Sequence, residues 1–173
     1  VNPDNPELLR EHAHLLAKMG DIEAERDVLR LEALGLDTPA DRSLLSGLRA
    51  RAGARSEALE AIEQALAEDP NQAADWFSYA NLLYQEGEIS KALDAADKCL
   101  AIDRQNGSAW ALTATILATK QHRLKEALKA AIHAVALDCG GVELILLKAD
   151  LLLADNQPTA AEESLTKALE KDM

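Results

Sequence analysis

Apolar residues recur along this chain at the spacing of amphipathic helices. Leu9, Ala13 and Leu16 fall three to four residues apart, which places them on one side of a helix. No stretch shows the sustained apolar-polar alternation of a half-buried strand. Glycines between two short periodic segments are Gly20, Gly53 and Gly87. The pattern therefore predicts an all-α protein of short helices joined by tight turns.

The same arrangement of side chains returns with a period of about 34 residues. Trp76 and Trp110 are separated by one such period, and so are Ala58 and Ala92. Segments 58–70, 92–104 and 127–139 align without a gap, and 161–173 continues the series. A fixed period in this range is the signature of stacked helical repeats that form a solenoid.

These residues resemble the tetratricopeptide repeat (TPR) family. In 73–106 the family pattern is carried by Trp76, Tyr79, Ala80, Leu83, Ala92 and Ala96. The resemblance implies an all-α, right-handed α-solenoid of about ten helices in antiparallel pairs, a TPR superhelix that forms one array over residues 1–173. The predicted repeats are 5–38, 39–72, 73–106, 107–141 and 142–173. We read the chain as a fragment of a longer protein, because its first and last residues resemble parts of inter-repeat tails.

Three repeats depart from the family pattern. Arg42 and Arg49 stand where large apolar residues belong, so the first helix of 39–72 is expected to be rotated or shifted by one residue. The leucines that suggest this change are Leu44, Leu45 and Leu48. Glu25 stands where alanine is usual. The 107–141 repeat carries one extra residue near Gln121–Leu124.

Small and large residues at these positions have a packing role. Two closely packed helices need small residues where their axes approach, which Ala80 and Ala92 provide. Trp76 is expected to fill the wedge between neighbouring helix pairs. Gly87 allows the positive φ that ends a helix.

The net charge of −12 and a pI of about 4.7 disfavour nucleic acid and anionic membranes as partners. One local group of cations is present, and we expect it to form a solvated face or local ion pairs. Its members are Arg42, Arg49, Arg51 and Arg55. No apolar run approaches the roughly 18 residues that would predict membrane insertion.

The sequence offers no constellation for catalysis. His12 and His14 are two residues apart, so on a helix they point to different sides and cannot share a metal. Cys99 and Cys139 have no metal-ligand spacing and are predicted to be free thiols too far apart for a disulfide. No phosphate-binding loop or nucleophile elbow is present. We therefore predict a protein that is not an enzyme and needs no cofactor or metal.

The resemblance implies a protein or peptide partner, because TPR arrays bind peptides or helices in a concave groove lined by the first helices of the pairs. Carrying the groove positions over gives Phe77, Asn81, Tyr84, Gln85, Leu112, Thr115, Leu147 and Asp150 as partner-binding residues. The earlier repeats contribute Arg10, His14, Lys18, Leu44, Gly47 and Arg51, and the last also contributes Leu146 and Leu153. The largely uncharged middle favours an apolar peptide or amphipathic helix. Alternatively, Phe77, Leu112 and Leu147 pack against adjacent helices and leave little groove.

Two other functions are open at this stage. The leucines in 144–153 favour self-association through the C-terminal repeat, which would make the array a structural spacer. The segment could also be the regulatory or docking part of a larger enzyme. Two thiols favour a reducing compartment such as the cytoplasm, with the periplasm as the alternative.

Overall fold

The computed structural model describes residues 4–119 and 123–171. Every regular element in these residues is an α-helix, which confirms the all-α architecture with ten helices. The helices are α1 (Pro6–Met19), α2 (Ala24–Ala33), α3 (Pro39–Arg51), α4 (Arg55–Glu68), α5 (Ala73–Gln85), α6 (Ile89–Ile102), α7 (Gly107–Thr119), α8 (Leu124–Ala136), α9 (Gly141–Ala154) and α10 (Pro158–Lys171). No helix of the described residues is long and apolar enough to span a bilayer.

Local side-chain and backbone chemistry sets the helix ends. The Asn5 side chain caps α1 by accepting hydrogen bonds from two backbone N–H groups of the first turn. A capping box starts α3, because Thr38 and Asp41 each accept from the backbone N–H of the other. Gly87 follows α5 with φ of +82°, so the positive φ predicted for this glycine is confirmed.

The chain forms two compact units, residues 1–86 and 87–173. In the first unit α1 packs on α2, α3 on α4, and α4 on α5. One core cluster of this unit is Ala13, Val28, Leu45 and Ala61. Another is Ala58, Ile62, Leu66 and Leu82, against which Trp76 and Tyr79 pack. These clusters bury the apolar stripe of each helix, which is the main favourable contribution to folding.

In the second unit α6 packs on α7, α7 on α8, α8 on α9, and α9 on α10. Its core is built mainly from alanine and leucine, which lets the helices approach closely. Ala114, Ala127 and Ala131 have no exposed surface, as expected for the small-residue positions. Residues 86–88 separate α5 from α6 and residues 120–123 separate α7 from α8. The extra residue predicted near Gln121–Leu124 thus lies between α7 and α8, and residues 120–122 themselves are outside the described residues.

Equivalent hydrogen bonds recur in the two tryptophan-containing repeats, one period apart. The Trp76 Nε1–H donates to the carbonyl of Pro70 at 2.8 Å, and the Trp110 Nε1–H donates to the carbonyl of Arg104 at 3.0 Å. Both rings are half-buried, because their edges reach these turn carbonyls. Each tryptophan therefore joins its own helix to the preceding turn in addition to filling space.

The first helix of 39–72 keeps the register of the other repeats. Ser46 stands one period before Ala80 and, like it, is buried. Leu45 is buried beside it, while Leu44 and Leu48 are half-buried. The expected rotation or one-residue shift of this helix is therefore absent, because a small polar residue fills the position where alanine is found later.

Two arginines that depart from the family pattern are accommodated by acidic neighbours. Arg42 Nε binds Asp37 at 2.7 Å, and its Nη1 binds Glu68. Glu68 raises the pKa of Arg42 further through its hydrogen bond, against a smaller opposing contribution from desolvation. Arg49 Nε binds Glu25 Oε1 at 3.0 Å. Glu25 and Arg49, the unusual residues of two neighbouring repeats, thus pair with each other. Of the arginine group, Arg42, Arg49 and Arg55 form the expected local ion pairs.

We expect the Glu25–Arg49 pair to behave as one unit under mutation. Glu25→Ala alone and Arg49→Leu alone should each lower the free energy of unfolding by about 0.5–1 kcal/mol, because each leaves a partly buried charge without its partner. Together they restore the family residue types and should cost less than the sum of the single changes. Urea denaturation of the four proteins measures the difference. Glu23 and Arg26, an exposed pair at 3.6 Å, form the control cycle, in which we expect no coupling; equal coupling in both cycles would contradict the prediction.

Candidate partner-binding surfaces

One face of α5 presents the first four predicted binding residues. Phe77, Asn81 and Gln85 follow one another at intervals of four, and Tyr84 lies three residues after Asn81, so the four share a helix face. Asn81 and Gln85 are exposed, and Phe77 and Tyr84 are half-buried. Gln85 Oε1 accepts a hydrogen bond from Arg55 at 3.2 Å. The opposite face carries the buried Ala80 and Leu83, so packing fixes the orientation of the helix.

The other four predicted residues lie in the second unit, on α7 and α9, which contact each other. Leu112 and Thr115 are half-buried, and the Thr115 hydroxyl donates to the carbonyl of Ala111. Leu147 packs against the core of the unit, while Asp150 is exposed.

Two further leucines of α9 are more accessible than Leu147. Leu146 and Leu153 are 50% and 55% exposed. They lie four residues before and three residues after Asp150, on the same helix face. Together with Val142, which is 53% exposed, they form the accessible apolar surface of α9.

Two arginines predicted on the binding face of the first unit, Arg10 and Arg51, form hydrogen bonds with this protein's own groups. Arg10 Nε binds Asp41 at 2.9 Å, and its Nη2 donates to the carbonyl of Leu36. Arg51 Nη1 donates to the carbonyl of Ala17 at 3.3 Å. These arginines connect α1, α3 and the turn after α2, so part of their donor capacity is used within the fold.

Candidate metal ligands are dispersed. His12 Nδ1 lies 2.6 Å from Asp27 Oδ2, while His14 is exposed on another side of α1. Over residues 4–119 and 123–171 no three His, Cys, Asp or Glu side chains are placed to hold a metal ion. Cys99 and Cys139 are thiols and do not form a disulfide, in agreement with the sequence.

One pocket was not anticipated from the sequence. It lies beside Trp110 in the second unit, and Thr113 and Asp97 contribute to its wall. The signal that could have found it is a comparison of equivalent repeat positions, since Thr113 stands where the preceding repeat has the much larger Tyr79.

The comparison with known families and structures identifies the fold. A sequence model of the tetratricopeptide repeat family matches residues 49–116. A crystal structure of MamA is 16% identical, covers 92% of this chain and 94% of its own, and superimposes with a TM-score of 0.81. MamA from Desulfovibrio magneticus RS-1, residues 41 to the end, is 18% identical, with coverage of 95% and 93% and a TM-score of 0.81.

A third similar structure is YrrB, described as a TPR protein with an unusual peptide-binding site. It is 19% identical, covers 98% of this chain and 87% of its own, and has a TM-score of 0.77. No curated protein sequence matches the chain. At these identities the structures establish a shared fold. The segment matched by the TPR sequence model, residues 49–116, lies in the middle of the chain.

Proposed function

We propose that this tetratricopeptide repeat protein is a non-catalytic scaffold that binds a peptide or helix of a partner protein through the first helices of its pairs. The observation that carries the proposal is the side-chain composition of the α5, α7 and α9 faces turned away from the cores. Partly accessible apolar groups lie there among hydrogen-bonding groups, which are uncharged on α5 and α7 and include Asp150 on α9. The similarity to YrrB, whose description includes a peptide-binding site, supports the same type of function.

The chemistry of these faces suits an apolar segment. Tyr84 and Phe77 offer aromatic surface on α5, and Leu112 offers aliphatic surface on α7. Half-buried aromatic residues are the usual anchors of protein interfaces, because they add contact area while losing little conformational freedom. Asn81 carries both a donor and an acceptor, which matches the backbone of an extended ligand. A peptide with apolar residues at alternate or helical spacing is the expected partner.

The experiment compares two double variants as baits for partner capture from a lysate of the source organism. Tyr84→Ala with Leu112→Asp changes the proposed binding faces. The control variant, Leu29→Ala with Leu124→Asp, also removes apolar surface and adds one negative charge, but on α2 and α8. Both leucines are exposed there. Circular dichroism first establishes that both variants are as helical as the unchanged chain.

A partner identified in this way is then titrated as a purified protein by calorimetry. We expect the Tyr84/Leu112 variant to bind at least tenfold more weakly, because loss of an aromatic contact on α5 and an aliphatic contact on α7 costs more than about 1.4 kcal/mol. The Leu29/Leu124 variant should retain full affinity. Equal affinity of the two variants would exclude these faces as the binding site.

Self-association is the second candidate function. The exposed Val142, Leu146 and Leu153 form an apolar stripe on α9, and Leu169 on α10 is 69% exposed. If this stripe mediates assembly, light scattering will show a mass that rises with protein concentration. Leu146→Asp with Leu153→Asp will then return the protein to a monomer. A concentration-independent monomer at high concentration would remove this candidate.

A further inference from the structure

Two stretches of the chain share one backbone framework. α4 and α5 correspond to α6 and α7 with the same shift in residue number at all four helix ends. The indole hydrogen bonds of Trp76 and Trp110 are related by that same shift. The side-chain environments of the two stretches can therefore be compared position by position.

In the first stretch a tyrosine fills the space beside the tryptophan. The rings of Tyr79 and Trp76 lie edge to face, with centroids 6.1 Å apart. The Tyr79 hydroxyl donates to Glu63 Oε1 at 2.7 Å. Burial, assisted by this hydrogen bond and the charge of Glu63, raises the pKa of Tyr79 to about 12. The phenol thus stays protonated and acts as a donor to the carboxylate.

The corresponding position in the second stretch lacks the ring. Thr113 replaces Tyr79 and Asp97 replaces Glu63, while Trp110 is retained. An open pocket of about 340 Å³ lies there, far larger than the roughly 30 Å³ of one water molecule. The side chains that line it are apolar (Leu93, Trp110 and Leu117), polar (Thr113 and His133) and charged, with two carboxylates (Asp97 and Glu126) and two cations (Arg123 and Lys129).

A second observation is an unpartnered hydroxyl group on a residue that lines this pocket. The Thr113 Oγ1 is buried and has no hydrogen-bond partner, and the residue is only 5% exposed. The threonines nearby on α7 behave differently, since Thr115 and Thr119 each donate to the carbonyl four residues earlier. A buried hydroxyl without a partner is destabilising, so a ligand group that forms a hydrogen bond with it would offset this cost.

We propose that this pocket binds the phenol ring of a tyrosine side chain presented by a partner protein. The ring occupies the space that Tyr79 fills in the preceding repeat, against Trp110 and Thr113. Its hydroxyl donates to Asp97, as the Tyr79 hydroxyl donates to Glu63. A phenol oxygen is both donor and acceptor, so it matches a carboxylate and an unpartnered hydroxyl in one pocket.

The charges and rings around the pocket fit a neutral aromatic group. His133 stacks on Trp110 with centroids 4.7 Å apart and an angle of 27°, so the imidazole covers part of one indole face and both rings line the pocket. Arg123 is paired with Glu126 at 2.5 Å, so Asp97 is the acceptor that remains for a ligand donor. Burial and the neighbouring Asp94 raise the pKa of Asp97, and the charge of Arg123 opposes this shift.

The pocket is separate from the surface in the proposed function. Trp110, Thr113 and Leu117 lie on one side of α7, and Leu112 and Thr115 lie on the opposite side, since each residue advances by about 100°. The two sites can therefore be tested independently. The Tyr84→Ala/Leu112→Asp variant should bind tyrosine in the pocket as well as the unchanged protein does.

The test uses the full chain and two capped amino acids, N-acetyl-tyrosinamide and N-acetyl-phenylalaninamide, which differ by one hydroxyl. In a nitrogen–proton correlation spectrum, the indole N–H signal of Trp110 reports binding, and that of Trp76 is the internal control. We expect N-acetyl-tyrosinamide to shift the Trp110 signal saturably, with a Kd on the order of 1 mM. The phenylalanine compound should bind at least tenfold more weakly, because it leaves the polar groups of the pocket unpaired. Equal binding of the two compounds, or equal shifts at Trp76 and Trp110, would overturn the proposal.

Two variants and one peptide complete the test. Thr113→Tyr supplies a tethered ring and should abolish the Trp110 shift while the helical content stays unchanged. Asp97→Ala changes an exposed side chain and should remove the preference for tyrosine over phenylalanine, so it decides the question even if Thr113→Tyr fails to fold. Retention of that preference in Asp97→Ala would contradict the assigned hydrogen bond. The peptide acetyl-Ala-Ala-Tyr-Ala-Ala-amide should bind like the capped amino acid. Binding of 4-methylphenol without binding of the peptide would instead assign the pocket to free phenols and overturn the partner-protein assignment.

Discussion

The Asp41→Ala substitution is expected to lower the free energy of unfolding by about 3 kcal/mol. Asp41 is only 1% exposed, and its Oδ2 accepts three hydrogen bonds. The donors are the Thr38 N–H, the Thr38 hydroxyl and Arg10 Nε, at 2.9, 2.8 and 2.9 Å. Alanine at this position removes the capping box of α3 and leaves Arg10 without its buried partner. The largest single loss is the charged contact between α1 and α3.

Urea denaturation followed by circular dichroism measures this effect. Asp150→Ala is the matched control, because Asp150 is exposed, and its loss should change stability by less than about 0.5 kcal/mol. Arg10→Met keeps the capping box but removes the ion pair, so we expect a loss between those of the two alanine variants. A loss below about 1 kcal/mol for Asp41→Ala would show that the buried carboxylate contributes little beyond the cost of its own desolvation.

Gly107→Ala should destabilise the protein by about 2 kcal/mol, although alanine is normally the better helix former. A Cβ on Gly107 would lie 2.5 Å from the Sγ and 2.7 Å from the Cβ of Cys139. It would also lie 3.2 Å from the Cβ of Leu137. Because the obstructing atoms sit close to the backbone, rotation of a flexible side chain cannot relieve the overlap. The start of α7 must therefore move away from the end of α8.

Gly47→Ala provides the opposite case within the same protein. Gly47 lies inside α3, and a Cβ there has nothing within 4 Å, so alanine should raise stability by about 0.5–1 kcal/mol. Differential scanning calorimetry should show the transition temperature falling for Gly107→Ala and rising for Gly47→Ala. Changes of the same sign in both variants would show that helix propensity, rather than close packing, controls the two positions.

The family pattern alone was sufficient to predict the helices and the pairs α1–α2, α3–α4, α7–α8 and α9–α10, because packing at the small-residue positions depends on side-chain size. The same pattern misjudged α3, because Arg42 and Arg49 stand at positions of large apolar residues. Both arginines are accommodated there by acidic neighbours, and Ser46 is small enough to take the place of Ala80. The family pattern did not predict which charged side chains would pair with each other. Nothing in sequence spacing links Glu25 to Arg49 or Asp41 to Arg10, because these pairs form only when separate helices pack.

For the candidate surfaces too, the sequence pattern predicted some features, and the packing of neighbouring helices determined the others. The face shared by Asn81, Tyr84 and Gln85 follows from helical periodicity alone. Whether a particular leucine is buried depends on the neighbouring helices, and this is why Leu147 packs on the core while Leu146 is exposed. The pocket beside Trp110 required a third kind of information, the difference between two copies of one repeat.

The hydrogen bonds between helices in the first unit also bear on how the chain finds its structure. The bonds Arg10–Asp41, Ser43–Asp75 and Arg51–Ala17 join positions separated by 31, 32 and 34 in the sequence. Each contact closes a loop of about one repeat, so the entropy lost on closure stays small and similar at every step. Chains with such local contacts reach the native state rapidly. Folding of the unit can therefore begin at any helix pair and extend to its neighbours, with no single distant contact that must form first.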